Sequence, residues 1–295
     1  MHHAHHSHHA TAAPPRKADI RDPAGSIDPE EHLWSQWRSP ALIAHGPAAT
    51  AAFVLAQVGD RPARVLEMGC GTGYLALELA RRGHAVLAVD PSEESLGCAR
   101  HTAALVREEG GALANLRYDC AAFGDWDPPA EAFDTIVFNQ SLHHIPDLAA
   151  TVARARRLLR SGGKVVVCDF VYDRLDEPTA AWLAEMQDLA GLAGAERGDP
   201  APDPAQSRRD LAQQWREKAE SHELRGHVAL LSALREAFRE TAFSWEPYLY
   251  TRIANHAPPS RHATLVPWLQ ATERLRIAEV SIASLCYRFV GLREP

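Results

Sequence analysis

The chain has 295 residues, 46% of them hydrophobic, a formal net charge of −7 and an isoelectric point near 6.1. That supplies a full core for one large domain or a domain with a cap, and the acidic balance argues against a protein that tracks nucleic-acid phosphates. The five cysteines at 70, 98, 120, 168 and 286 lack paired or regular spacing. They therefore point away from a zinc site or disulfide framework and toward a reducing cytoplasm, with no metal expected.

At the N-terminus, histidines at 2, 3, 5, 6, 8 and 9 lead into a Thr-Ala-Pro stretch without periodicity, so residues 1–25 read as a disordered tail or a purification tag. The folded domain is expected from about 26 to 295. EEHLWSQWR at 30–38 sets Leu33, Trp34 and Trp37 on one helical stripe, and 41–58 is an Ala-rich helix apolar enough to pack beside a sheet. No apolar run approaches the roughly 20 residues that cross a bilayer and no signal peptide is visible, so no membrane partner is expected.

VLEMGCGTGYLALELA at 65–80 then reads as strand, tight turn and helix. Val65 and Leu66 lead into Glu67, three glycines alternate at Gly69, Gly71 and Gly73, and Leu75 and Leu79 resume at helical spacing. Glycine permits a left-handed backbone and a close ligand approach, so the turn suits a nucleotide-like cofactor. HAVLAVD at 84–90 is the second strand, and Asp90 stands about 20 residues on, where a ribose diol needs an acceptor. A dinucleotide fingerprint would place a third glycine where Tyr74 stands, which disfavours a nicotinamide oxidoreductase. Glu67 repels phosphates and suits an ammonium group.

The order continues through YDCAAF at 118–123, FDTIVFNQSLHHIPD at 133–147 and LLRSGGKVVVCDF at 158–170, read as the third, fourth and fifth strands. With the (E/D)xGxGxG turn, residues 64–170 resemble the class I methyltransferases that use S-adenosylmethionine (SAM) and release S-adenosylhomocysteine. The resemblance implies a Rossmann-like α/β fold, with a seven-stranded, mostly parallel sheet and helices on both faces. It also implies a cofactor site of Glu67, Gly69, Cys70, Gly71, Gly73, Asp90, Asp119, Cys120 and Asn139. Asp90 would take the ribose hydroxyls, Asp119 and Cys120 would meet the adenine, and Asn139 would meet the methionine part. In such sheets ligands bind at the carboxyl ends of the strands, so these residues should share one edge.

Beyond 170 a helix is expected after Pro178, with Trp182, Met186, Leu189 and Ala193 recurring at helical intervals. A proline-rich loop at 196–210 and an amphipathic helix around Leu231, Leu234 and Phe238 follow. The alternation from 242 to 253 reads as a strand that Pro247 confines to an edge. A helix after Pro267 and a strand at 285–292 close the chain. The N-terminal helices and a helical insertion at about 172–240 are expected to form a lid.

The loop after the fourth strand lacks the (N/D)PP(Y/F) run found in many methyltransferases of nucleic-acid amines and glutamine amides, so a small-molecule acceptor is favoured. Trp34, Trp37, Tyr248 and Tyr250 are candidates for an aromatic acceptor pocket or lid. His143 and His144 are the nearest candidates for a base if the acceptor is a hydroxyl. A SAM-binding protein that transfers no methyl, or a peptide-modifying enzyme, would carry the same cofactor motifs.

Overall fold

A computed structural model describes residue 37 and residues 39–295, apart from 114, 125–127, 196–200 and 222–225, with backbone alone at 212, 216 and 218–221. The expected tail, Trp34 and most of the stripe at 30–38 lie outside the described residues.

Two short helices, α1 (Pro40–His45) and α2 (Pro47–Val58), come first. They are followed by β1 (Arg64–Met68), α3 (Tyr74–Arg81), β2 (Ala85–Asp90), α4 (Glu93–Glu108), β3 (Leu116–Cys120), β4 (Phe133–Asn139), α5 (Leu148–Leu158) and β5 (Leu159–Phe170). The remainder runs α6 (Glu177–Leu192), α7 (Pro204–Ser221), α8 (His227–Ala237), β6 (Arg239–Glu246), α9 (Leu249–Ala254), α10 (His262–Ala278) and β7 (Cys286–Leu292).

All seven strands join one sheet in the order β3-β2-β1-β4-β5-β7-β6. β1 to β5 pair in parallel, and β7 is antiparallel to both of its neighbours. This is the expected Rossmann-like sheet. Its central strands are near-continuous apolar runs because both faces are covered. On one face Leu66, Ile136, Val165 and Val167 pack with Leu158 of α5 and Leu231 and Leu234 of α8. On the other, Val65, Val86, Val137 and Val166 meet Val54 of α2, Leu75 and Leu79 of α3 and Leu96 of α4.

A third apolar cluster sits beyond the carboxyl edge of the sheet. It gathers Leu42 of α1, Trp182 and Leu183 of α6, Leu249 and Ile253 of α9, Val266 and Leu269 of α10, and Leu285. Helices from both ends of the chain thus share this core, beyond the segment 172–240 expected to form a cap.

Several elements differ from the sequence reading. Residues 242–253 do not form one strand: β6 stops at Glu246 and Leu249–Ala254 is helical. Pro247 has no N–H for the ladder, and the buried Glu273 carboxylate accepts the N–H groups of Tyr248 at 2.7 Å and of Leu249 and Tyr250 at 2.8 Å. Those bonds satisfy the donors that a helix start leaves open. The expected loop at 196–210 becomes helical from Pro204, where proline suits the first turn and the Asp203 carboxylate accepts the Ala205 N–H at 3.0 Å. The last helix begins at His262 and carries Pro267 inside it.

The Ala-rich stretch is two helices parted at Gly46. Pro40–Val58 spans 19 residues at a mean hydropathy of 1.5, long and apolar enough by length and composition to cross a membrane, which corrects the expectation that no run approaches that length. Here the stretch is broken at Gly46, and Ala51 and Val54 are buried against the sheet-side cluster.

Candidate functional site

The strand registers bring the predicted cofactor residues to one edge. Met68 pairs with Val89 and Phe138, Asp90 with Cys120, and Asn139 with Cys168. Glu67, Asp90, Asp119 and Asn139 thus stand within a residue of the carboxyl ends of four adjacent parallel strands.

Between β1 and α3 the chain turns through Gly69, Gly71 and Gly73, all with positive φ, at 71°, 54° and 80°. The two sides of this turn differ. A Cβ on Gly69 would fall 2.4 Å from the Ser141 Cβ, whereas a Cβ on Gly71 would meet nothing within 4 Å. Gly69 is therefore demanded by the protein itself, whereas Gly71 opens onto unfilled space. Ser141 locks the β4 loop to the turn, its Oγ donating to the Met68 carbonyl at 2.6 Å. Asp90 braces the turn from β2: Oδ2 accepts the Gly71 N–H at 2.7 Å and Oδ1 the Ser92 N–H at 2.9 Å.

Glu67 points beneath the turn. It is only 1% exposed, accepts the Ala76 N–H in the first turn of α3, and burial pushes its carboxyl up to about 8. Its Oε2 and the nearby Tyr118 hydroxyl have no hydrogen-bond partner among the described residues. Cys70 is buried in the turn, while Asp119 and Cys120 are exposed at the end of β3.

An open glycine turn flanked by carboxylates on β2 and β3 fits a nucleoside with a cationic tail better than a pyrophosphate. A sequence model of the methyltransferase domain matches residues 42–245. The chain belongs to the class I SAM-dependent methyltransferases.

The methyltransferase is 31% identical, over 169 residues, to an uncharacterized methyltransferase of Mycobacterium bovis, covering 57% of this chain and 76% of that protein. It is 38% identical to a ubiquinone biosynthesis O-methyltransferase of Neisseria meningitidis over 104 residues, 35% of this chain and 42% of the relative. The chain thus spans less than half of the ubiquinone-pathway relative. Among solved structures, the crystal structure of geranyl diphosphate C-methyltransferase from Streptomyces coelicolor A3(2), with S-adenosylhomocysteine bound, superposes with a TM-score of 0.57. That likeness covers 97% of this chain and 88% of the other at 15% identity, and so concerns the fold.

A cavity of about 190 Å³ is lined by Asn139 and Gln140 after β4, by Cys168 of β5, and by Glu246, Tyr248 and Arg288. At the end of β5 an aromatic group stands over the sheet edge. The Phe170 ring lies 4.2 Å from Tyr172, 4.5 Å from Tyr248 and 5.7 Å from Trp215 of α7. Tyr248 is half-buried and lines the cavity. Tyr250 also lines it but is 3% exposed, and its hydroxyl donates to the His45 carbonyl at 2.8 Å, so much of its surface serves cap packing. Trp37 packs edge-on against Tyr74, with ring centroids 5.0 Å apart, at the start of α3.

His143 does not line this cavity. Asp169, fully buried in β5, takes both its backbone N–H at 3.0 Å and its ring Nδ1 at 2.5 Å, which ties the β4 loop to β5. His144 is exposed beside it, with ring centroids 4.0 Å apart. The sequence reading missed Asp169 and Ser141. An acid inside the apolar run VVVCDF was a visible signal for the first, whereas Ser141 carries none.

Proposed function

We propose that the methyltransferase acts on a small-molecule acceptor seated in the cavity at the ends of β4, β5, β7 and β6, with the helical cap as its cover. The observation that carries this reading is the cavity itself, which draws Asn139 and Gln140 at the end of β4, Cys168 of β5 and the side chains of Tyr248 and Tyr250 into one wall. In the same reading Gly71 gives the cofactor backbone room, Asp90 holds the ribose, Asp119 and Cys120 flank the adenine, and Asn139 meets the methionine part. When bound, SAM supplies a sulfonium methyl group already activated for in-line displacement. The protein's task is then chiefly to align the acceptor and exclude water, a contribution that reaches on the order of 10⁵ M in effective molarity when alignment is good. Tyr248, which lines the cavity and packs against Phe170, suits that task. Five cysteines outside any disulfide and the net charge of −7 support a cytoplasmic enzyme that does not act on nucleic acid.

Incubation with methyl-labelled SAM and fractionated metabolites, followed by mass spectrometry, tests the assignment. A labelled low-mass product is expected. Label found only on protein or nucleic acid would refute it.

A further inference from the structure

The break between α1 and α2 puts His45 on the cavity wall beside Gln270 of α10. The two residues are joined twice: Gln270 Nε2 donates to the His45 carbonyl at 3.2 Å, and the ring Nδ1 lies 2.8 Å from Gln270 Oε1. A backbone carbonyl can only accept, so the amide turns its NH2 toward it and its oxygen toward the ring. That oxygen also only accepts, so Nδ1 carries the ring proton and Nε2 keeps its lone pair. With the Tyr250 hydroxyl bonded to the same carbonyl, His45 is held at both backbone and ring. A ring of fixed tautomer, with its basic nitrogen spare, on the wall of an acceptor cavity meets the geometric demands on a general base.

The other titratable groups facing the cavity are less suited to the task. Glu246 receives the Ser244 hydroxyl at 2.7 Å and stands 3.7 Å from Arg288. Burial pushes the Cys168 thiol up to about 12 and the Cys286 thiol well above its usual range, so both stay protonated. Tyr250 is already a donor, burial raises the phenol's hold on its proton, and Arg274 and Arg288 are cations.

We propose that His45 is the general base of the methyl transfer, that Gln270 is its positioning residue, and that the acceptor atom is a hydroxyl oxygen. The inference rests on reading the cavity as the acceptor site. A neutral amine attacks with its own lone pair, but a hydroxyl must shed its proton as it attacks. The acceptor oxygen bonds to the methyl carbon, the carbon–sulfur bond breaks with its electron pair passing to sulfur, and the hydroxyl proton passes to Nε2. The imidazolium then returns that proton to water.

The test uses the full chain with phenol, catechol and 4-hydroxybenzoate as hydroxyl probes, calorimetry with S-adenosylhomocysteine, and ring ¹⁵N spectra of His45. The wild type should methylate at least one probe on oxygen, and its spectra should show the Nδ1–H tautomer. His45→Gln should lower kcat by roughly 10²–10⁴-fold and lose the acid limb of the pH–rate profile, with S-adenosylhomocysteine affinity unchanged. Gln270→Glu should move that limb to higher pH, because a carboxylate at Nδ1 favours the imidazolium. Full turnover in His45→Gln, no labelled ether from any probe while S-adenosylhomocysteine binds, or an Nε2–H tautomer would each overturn the inference. Failure to bind S-adenosylhomocysteine would instead strike the cofactor reading beneath it.

Discussion

Asp90 Oδ2 accepts the Gly71 N–H at 2.7 Å, so the carboxylate that the sequence marks for a ribose also sets the shape of the turn beneath it. With Oδ1 on the Ser92 N–H, one side chain satisfies two backbone donors. Asp90→Ala should therefore cost stability as well as cofactor affinity, by about 1–3 kcal/mol for the donors left without partners. Asp90→Asn retains an accepting oxygen and should melt nearer to the wild type while still binding S-adenosylhomocysteine more weakly. Thermal melts paired with calorimetry check both, and an unshifted melt in Asp90→Ala would rule out the brace.

The two sides of the glycine turn should separate in the same measurements. Gly69→Ala adds a Cβ 2.4 Å from Ser141, so its main effect should be a lower melting temperature. Gly71→Ala meets open space and bears only the roughly 1–2 kcal/mol of a left-handed alanine. Its larger effect should be on S-adenosylhomocysteine affinity. The reverse ranking would place the ligand on the Ser141 side.

Glu67 should make cofactor binding sensitive to pH. Its carboxyl sits at about 8 in the folded chain against an ordinary 4.5, so between those values the folded state holds a proton that the unfolded state lacks. The stability it contributes is full below about 4.5 and is lost as pH rises through about 8. A cationic ligand at the turn favours the carboxylate and should drive that proton off near pH 7. The apparent binding enthalpy of SAM should then differ between buffers of unlike ionisation enthalpy, and Glu67→Gln should abolish the difference. Buffer-independent heats in the wild type would show that the carboxyl does not sense the ligand.

Glu273 holds the start of α9 through three N–H groups while fully buried, and burial raises its carboxyl to about 7. Glu273→Ala leaves all three donors without a partner, a loss of about 3 kcal/mol or more if each is worth about 1 kcal/mol. Glu273→Gln keeps one acceptor and removes a titrating group whose contribution is full below about 4.5 and lost as pH rises through about 7. Urea unfolding of both proteins at pH 5 and pH 8 should show the wild type losing more stability than Glu273→Gln over that interval. Parallel pH dependences would mean that Glu273 does not titrate in this window.

The sheet, and the meeting of the glycine turn with Asp90 and Asn139 at one edge, were legible because their signals are local. Glycine at 69, 71 and 73 answers a backbone demand, and the apolar runs of β2 and β4 end at polar residues, Asp90 and Asn139. The cap was less legible. From 242 to 253 the alternation of apolar side chains imitates a strand, and what turns its second half into a helix is Glu273, a carboxylate some 25 residues downstream. The pairing of His45 with Gln270 spans 225 residues and has no pattern that a window could detect. His143 was visible as a histidine in a suggestive loop, but its bond to Asp169 was not, and that bond gives it a tie to β5 instead of a place on the cavity wall.

Since the third apolar cluster collects side chains from Leu42 to Leu285, the proposed cover over the acceptor would not be a portable module. Grafting residues 172–240 onto a related sheet would carry Trp182 and Leu183 but leave behind Leu42, Leu249, Val266 and Leu269, their packing partners. If that cover shapes the acceptor site, acceptor preference should respond to substitutions dispersed from Leu42 to Leu285 and not to exchange of a single segment.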